Sequence, residues 1–147
     1  MTLKKAKTKG RYEAGDPKFT ELDTIVIDEI SMVRADMFDC MDVFLREVRE
    51  SKEPFGGVQM IMIGDLYQLS PVVSNSEKDF FVKEYMSPYF FSAKVAQSKK
   101  FTMEFIELEK VYRQSDASFI EILNAIRTKT IEDKHFVMLN RNVVPSL

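Results

Sequence analysis

Tryptophan is missing from this 147-residue chain, cysteine and histidine occur once each, and glycine and proline five times each. Each scarcity excludes something. The lone Cys40 cannot close an internal disulfide, so no covalent staple frames the fold. The lone His135 argues against a histidine-based zinc site and against a triad that needs a second histidine. No apolar run approaches the roughly 20 residues that a membrane helix requires, and Met1–Lys7 lacks the apolar stretch of a secretion signal. A reducing, cytoplasmic setting without a membrane is therefore expected. Charge of one sign is lacking too: 21 Lys and Arg against 23 Asp and Glu leave a net charge of −2. The chain as a whole is no electrostatic glove for nucleic acid, and any such contact must be local.

What is present is the material for one globular domain. A hydrophobic share of 45% with 30% charged residues excludes a disordered or fibrous chain. A domain of this length buries roughly 68–70% of its unfolded surface and needs no metal or disulfide to fold. Carboxylates, arginines and glutamine must carry any chemistry.

Residues 1–20 are polar and locally basic (Lys4, Lys5, Lys7, Lys9, Arg11, Lys18), broken by Gly10, Gly15 and Pro17. They predict a mobile arm or loop. Thr24-Ile25-Val26-Ile27 is a short β-branched run without polar alternation, as in a strand buried on both faces of a parallel sheet. Met37, Cys40, Met41, Phe44, Leu45 and Val48 then recur at helical spacing, with Asp39, Asp42, Arg46, Glu47 and Arg49 on the other face. Pro54-Phe55-Gly56-Gly57 ends that helix, and Val58–Ile63 is a second apolar run leading into Gly64-Asp65. Strand, helix and strand in this order predict a parallel, right-handed βαβ crossover. Residues 66–101 show no clean period and read as loops with short helices, their aromatics as packing. Phe105–Leu108 predicts a third strand, and Ser115-Asp116 a cap for a helix carrying Phe119, Ile120, Leu123 and Ile126.

In an open parallel α/β sheet, ligands bind beyond the carboxyl ends of the strands. Two neighbouring strands here deliver acids to that edge, Asp28-Glu29 and Asp65. A hydrophobic strand ending in Asp-Glu is what a nucleotide hydrolase uses to hold Mg²⁺ and orient an attacking water, because this hard ion prefers oxygen ligands and keeps several waters. Asp28 would reach the ion, usually through a water, and Glu29 would act as general base.

Asp28-Glu29-Ile30-Ser31-Met32, then Gly64-Asp65-Leu66-Tyr67-Gln68-Leu69-Ser70-Pro71-Val72, then Tyr112-Arg113-Gln114 with Asp116 form a longer pattern. Together they resemble motifs II, III and IV of superfamily 1 DNA helicases of the RecD and Pif branch, over about residues 22–127. The resemblance implies an α/β fold, part of a RecA-like P-loop NTPase domain whose parallel sheet is flanked by helices. It implies ATP and Mg²⁺ as cofactors, single-stranded DNA as partner, and motif II acids, Asp28 and Glu29, that bind the metal and activate water. It maps a γ-phosphate sensor to Gln68, a role that suits an amide that both donates and accepts. Arg113 maps to the arginine that contacts the γ-phosphate, where a planar guanidinium stabilises transferring phosphoryl oxygens. Asp65 would support the loop. One departure is Ser70, where the family often carries the first of two prolines.

The phosphate-cradling Gly-x-x-x-x-Gly-Lys-Ser/Thr loop does not occur, since Gly56-Gly57 is followed by Val58-Gln59. The expectation is a segment of a larger helicase: a polar arm over 1–20, then the C-terminal part of the first motor domain over 21–147. Its partners would be the P-loop segment and second RecA-like domain of the same polypeptide. Alone it would be inactive, and an uncovered sheet edge could favour self-association. A non-catalytic RecA-like scaffold and another class of P-loop ATPase are the competing readings.

Overall fold

The computed structural model describes residues 1–110, 112 and 116–141. The chain divides into two compact units, Met1–Glu104 and Phe105–Leu147. In the first, α1 (Leu3–Tyr12) and α2 (Pro17–Thr20) lead into β1 (Thr24–Ile27), α3 (Ala35–Val48), β2 (Gln59–Met62) and α4 (Lys78–Tyr85). The second holds α5 (Ala117–Arg127) and α6 (Asp133–Asn140).

β1 and β2 pair in parallel, with Thr24 opposite Gln59 and Ile27 opposite Met62. Alternation along a strand sends Ile25, Ile27, Met60 and Met62 to one face, where they pack on a core containing Phe38 and Leu45 of α3. Phe38 anchors that core: its ring centroid lies 4.9 Å from Phe55 and 5.8 Å from Phe90. The other sheet face carries Val26 and Ile61, 59% and 42% exposed. The expectation of a strand buried on both faces is therefore corrected. Its β-branched run matches either burial pattern, and among the described residues only one face is covered.

Residues 1–20 also depart from the expected arm. Thr2 caps α1 by accepting from the Lys5 amide at 3.3 Å, and Asp16 caps α2 with Pro17 in its first turn. Ala6 and Gly10 of α1 are buried where this helix packs on α3. Two small residues four apart make a contact stripe that hydrophobic periodicity overlooks. A Cβ on Gly10 would stand 2.8 Å from both the Phe44 carbonyl oxygen and the Glu47 Cβ, so glycine permits the approach.

Asp39 and Asp42, placed by periodicity on the polar face of α3, are buried. Asp42 Oδ1 accepts from the Phe55 amide at 2.7 Å and from Arg46 Nε at 2.8 Å. Asp39 accepts from the Val95 and Lys94 amides. Both carboxylates satisfy backbone donors of loops that fold over the helix. Arg49 does the converse: its Nη1 donates to the carbonyls of Phe19, Thr20 and Leu22 at 2.7, 2.8 and 3.0 Å, and its Nε to Gly56.

The third strand expected over Phe105–Leu108 does not form. A strand requires a hydrogen-bonded neighbour, and the described residues hold only the β1–β2 sheet. In the second unit Asp116 caps α5, accepting from the Ser118 and Phe119 amides at 2.9 and 3.1 Å. Ser115 lies outside the described residues. His135 is buried, takes the Glu132 amide on Nδ1 at 2.9 Å and lies 3.4 Å from Glu121 through Nε2. The only histidine thus caps α6.

Candidate nucleotide site at the sheet edge

Because β1 and β2 run parallel in register, the residues that follow them emerge at the same end of the sheet. Asp28 and Glu29 follow β1 and are exposed. The chain turns there: Glu29 takes the left-handed conformation, φ 53° and ψ 43°, which costs a residue with a Cβ roughly 1–2 kcal/mol. Asp28 Oδ1 accepts from the Glu29 amide at 2.9 Å and braces this turn.

Two backbone bonds then stitch the strand ends together. Ile63 donates to Ile27 O and Ile30 donates to Ile63 O, both at 2.9 Å. Gly64 follows at a place with no spare volume: a Cβ there would meet the Ile30 amide nitrogen at 3.0 Å and the Ser31 nitrogen at 3.2 Å. The turn carrying the acids and the start of the second loop are thus in backbone contact.

Asp65 organises that loop. Its Oδ1 accepts from the Tyr67 amide at 2.9 Å, its Oδ2 from Gln68 Nε2 at 3.0 Å, and its carbonyl from the Gln68 amide at 3.1 Å. These bonds close a turn around Gln68, which is exposed, in the loop that leaves the same sheet end as Asp28 and Glu29. At the far end of the loop, Ser74 and Glu77 cap each other before α4. Arg34 donates to Glu77 at 2.9 Å and to both oxygens of Asp36 at 3.0 Å, stacked over Phe81. The guanidinium and the Ser74 hydroxyl hold the Glu77 carboxyl down at about 2.

Arg113 lies outside the described residues; the structure sets Asp28-Glu29 and Gly64-Asp65 on adjoining turns and holds the Gln68 side chain on Asp65. Sequence reasoning placed Gly64 in the motif and missed its close approach to the Ile30 and Ser31 amides, which leaves no periodic signal. It also missed Arg34, whose two acidic partners include one 43 residues away. Ser31 is a further surprise: its hydroxyl is buried and has no hydrogen-bond partner among the described residues.

No group of three or more His, Cys, Asp or Glu side chains that could hold a metal occurs among the described residues.

A family model described as PIF1-like helicase matches residues 9–136. The chain belongs to the PIF1-like helicase family. Its superfamily 1, Pif-branch resemblance is thereby shown, as is the RecA-like α/β fold. Over 110 residues it is 41% identical to the ATP-dependent DNA helicase PIF1 of Mus musculus, covering 75% of this chain and 15% of the mouse protein. The PIF1 helicase of Saccharomyces cerevisiae is 34% identical over 118 residues, 80% of this chain and 13% of its own. A crystal structure of Pif1 helicase from Bacteroides in complex with ADP-AlF3 and ssDNA superimposes with a TM-score of 0.80 at 39% identity, covering 88% of this chain and 30% of that one. The Pif1 helicase of Candida albicans gives 0.74 at 27% identity over 99% of this chain and 30% of its own. The chain thus spans about 15% of the length of the curated PIF1 relatives it matches.

Proposed function

We propose that these residues form the metal-binding and water-activating edge of an ATP-driven helicase motor that moves on single-stranded DNA. The observation that carries the reading is the contact between the two turns. Parallel pairing of β1 and β2, the bond from the Ile30 amide to Ile63 O at 2.9 Å and the tight approach at Gly64 join the acids of one turn to the glutamine of the other.

In this reading Asp28 and Glu29 would hold Mg²⁺ with ATP, and the ion would supply neutralisation of phosphate charge. Glu29 takes the proton of the attacking water. Gln68, aimed by Asp65, contacts the γ-phosphate by donating from its amide and accepting from water. The family resemblance also gives Arg113, outside the described residues, the role of a γ-phosphate contact. The β-phosphate donors are not among these 147 residues and come from a phosphate loop and a second RecA-like domain elsewhere in the polypeptide. The chain alone then neither binds ATP tightly nor hydrolyses it. Relatives described as ATP-dependent DNA helicases, and a structure holding ADP-AlF3 with ssDNA, support this reading.

The test is ATP hydrolysis by the full-length protein with and without single-stranded DNA, for wild type and Glu29→Gln. DNA-stimulated turnover that disappears in the variant is the expected result. Turnover indifferent to Glu29, or none at all, overturns the motor reading in favour of a RecA-like scaffold.

A further inference from the structure

The chain carries a net charge of −2, yet α1 holds four lysines and one arginine and no acid. Packing sorts these five cations into two sets. Lys7 and Arg11 pair with Glu47 of α3 at 3.5 and 2.9 Å. Ala6 and Gly10 are buried on the same side, and the 2.8 Å limits at Gly10 hold α1 in one rotation about its axis. Lys4, Lys5 and Lys9 are exposed and have no acidic partner among the described residues. With Thr8 and Tyr12 they form one outward face of α1, with Glu13 beside it at the C-terminal end of the helix. Tyr12 is 88% exposed.

A helix face with three unpaired ammonium groups and one exposed aromatic ring has the chemistry of a contact for single-stranded nucleic acid. Cations there track the phosphates, and an aromatic ring gives one base a stacking platform. A purely anionic protein partner would leave the ring without use. Glu13 lowers the local charge only from three to two.

We infer that the outer face of α1, through Lys4, Lys5, Lys9 and Tyr12, is an accessory contact for the backbone and one base of single-stranded DNA. This rests on the helicase reading above and places a DNA contact away from the Gln68 loop. The helix acts as a rigid rail: its inner cations are consumed by Glu47, and its outer ones are presented in a fixed row.

The test measures binding of an unstructured oligodeoxynucleotide to the full-length protein across a salt series. Variants are the triple substitution Lys4→Gln, Lys5→Gln, Lys9→Gln, its lysine-to-arginine counterpart, and Tyr12→Ala, with melting temperatures recorded for each. The slope of log affinity against log salt is expected to fall by about 2 in the glutamine triple and to persist in the arginine triple, since each phosphate contact contributes roughly 0.7 on single strands. Tyr12→Ala is expected to weaken binding roughly 5- to 100-fold with the slope retained. An unchanged slope in the glutamine triple overturns the proposal, as does a loss that the arginine triple shares. A wild-type protein that binds no oligonucleotide overturns it together with the helicase reading. ATP turnover that ignores Glu29, alongside the expected slopes, removes the motor reading alone.

Discussion

Two groups of charged residues sit at opposite ends of the small sheet and behave differently. At the end where β1 begins, Arg49 donates to four backbone carbonyls, and on α3 Asp42 Oδ1 accepts from the Phe55 amide and Arg46. At the other end Asp28 and Glu29 stand exposed, braced by the backbone of their own turn. The first group is architecture, with hydrogen-bonding capacity spent on closing loops. The second faces solvent, with its only side-chain bond among the described residues the one from the Glu29 amide to Asp28. Charge alone does not separate the two; satisfaction by backbone partners does.

The sharpest way to break the comparison is to remove one member from each end. Glu29→Gln should lower DNA-stimulated ATP turnover of the full-length protein by roughly 10²- to 10⁴-fold, the usual contribution of a general base, with its melting temperature unchanged. A melting temperature that drops with activity would put Glu29 among the architectural residues. Arg49→Met should do the reverse, costing about 2–4 kcal/mol in denaturant unfolding because up to four carbonyls lose a charged donor. Stability retained in Arg49→Met would show that water replaces the guanidinium freely.

Gly64→Ala probes the seam at the acidic end. The added methyl must push against the Ile30 and Ser31 amides, so an overpacking cost of about 1–3 kcal/mol is expected, together with weaker ATP turnover because both turns move. Thermal melting alongside kinetics distinguishes a displaced turn from a lost fold.

The smallest effect concerns pH. The Glu77 carboxyl lies at about 2 against an ordinary 4.5, chiefly through the Arg34 hydrogen bond. A carboxyl depressed in the folded state contributes stability above its unfolded value and loses it as pH falls through the folded one. The contribution should fade between about pH 5 and pH 2. Glu77→Gln should narrow the gap in urea midpoint between pH 6 and pH 3; an identical gap would mean that the carboxyl is solvated and the Arg34 contact is inconsequential.

Much of this was legible in the residues. The helix over 35–48 declared itself by apolar recurrence, β1 and β2 by short apolar runs, and the acid-bearing ends by Asp28-Glu29 and Gly64-Asp65. The family followed from three ordered motifs. Illegible were α1, whose contact surface is an alanine and a glycine, and the burial of Asp39 and Asp42, whose partners are amides that any residue supplies. Phe105–Leu108 was misread because β-propensity says nothing about whether a neighbouring strand exists.

The amino-acid order by itself determined which groups are available: strands that end in acids, a loop with a glutamine, and too few cysteines and histidines for an internal disulfide or a histidine-based zinc site. These are local properties, set by side-chain type and spacing along the chain. Tertiary structure decided which charges are spent and which are left, because that depends on backbone donors and acceptors brought from residues far away. Arg49 and Lys9 are equally cationic on paper; one is enclosed by carbonyls and the other faces solvent, and only the packing of α3 and α1 distinguishes them.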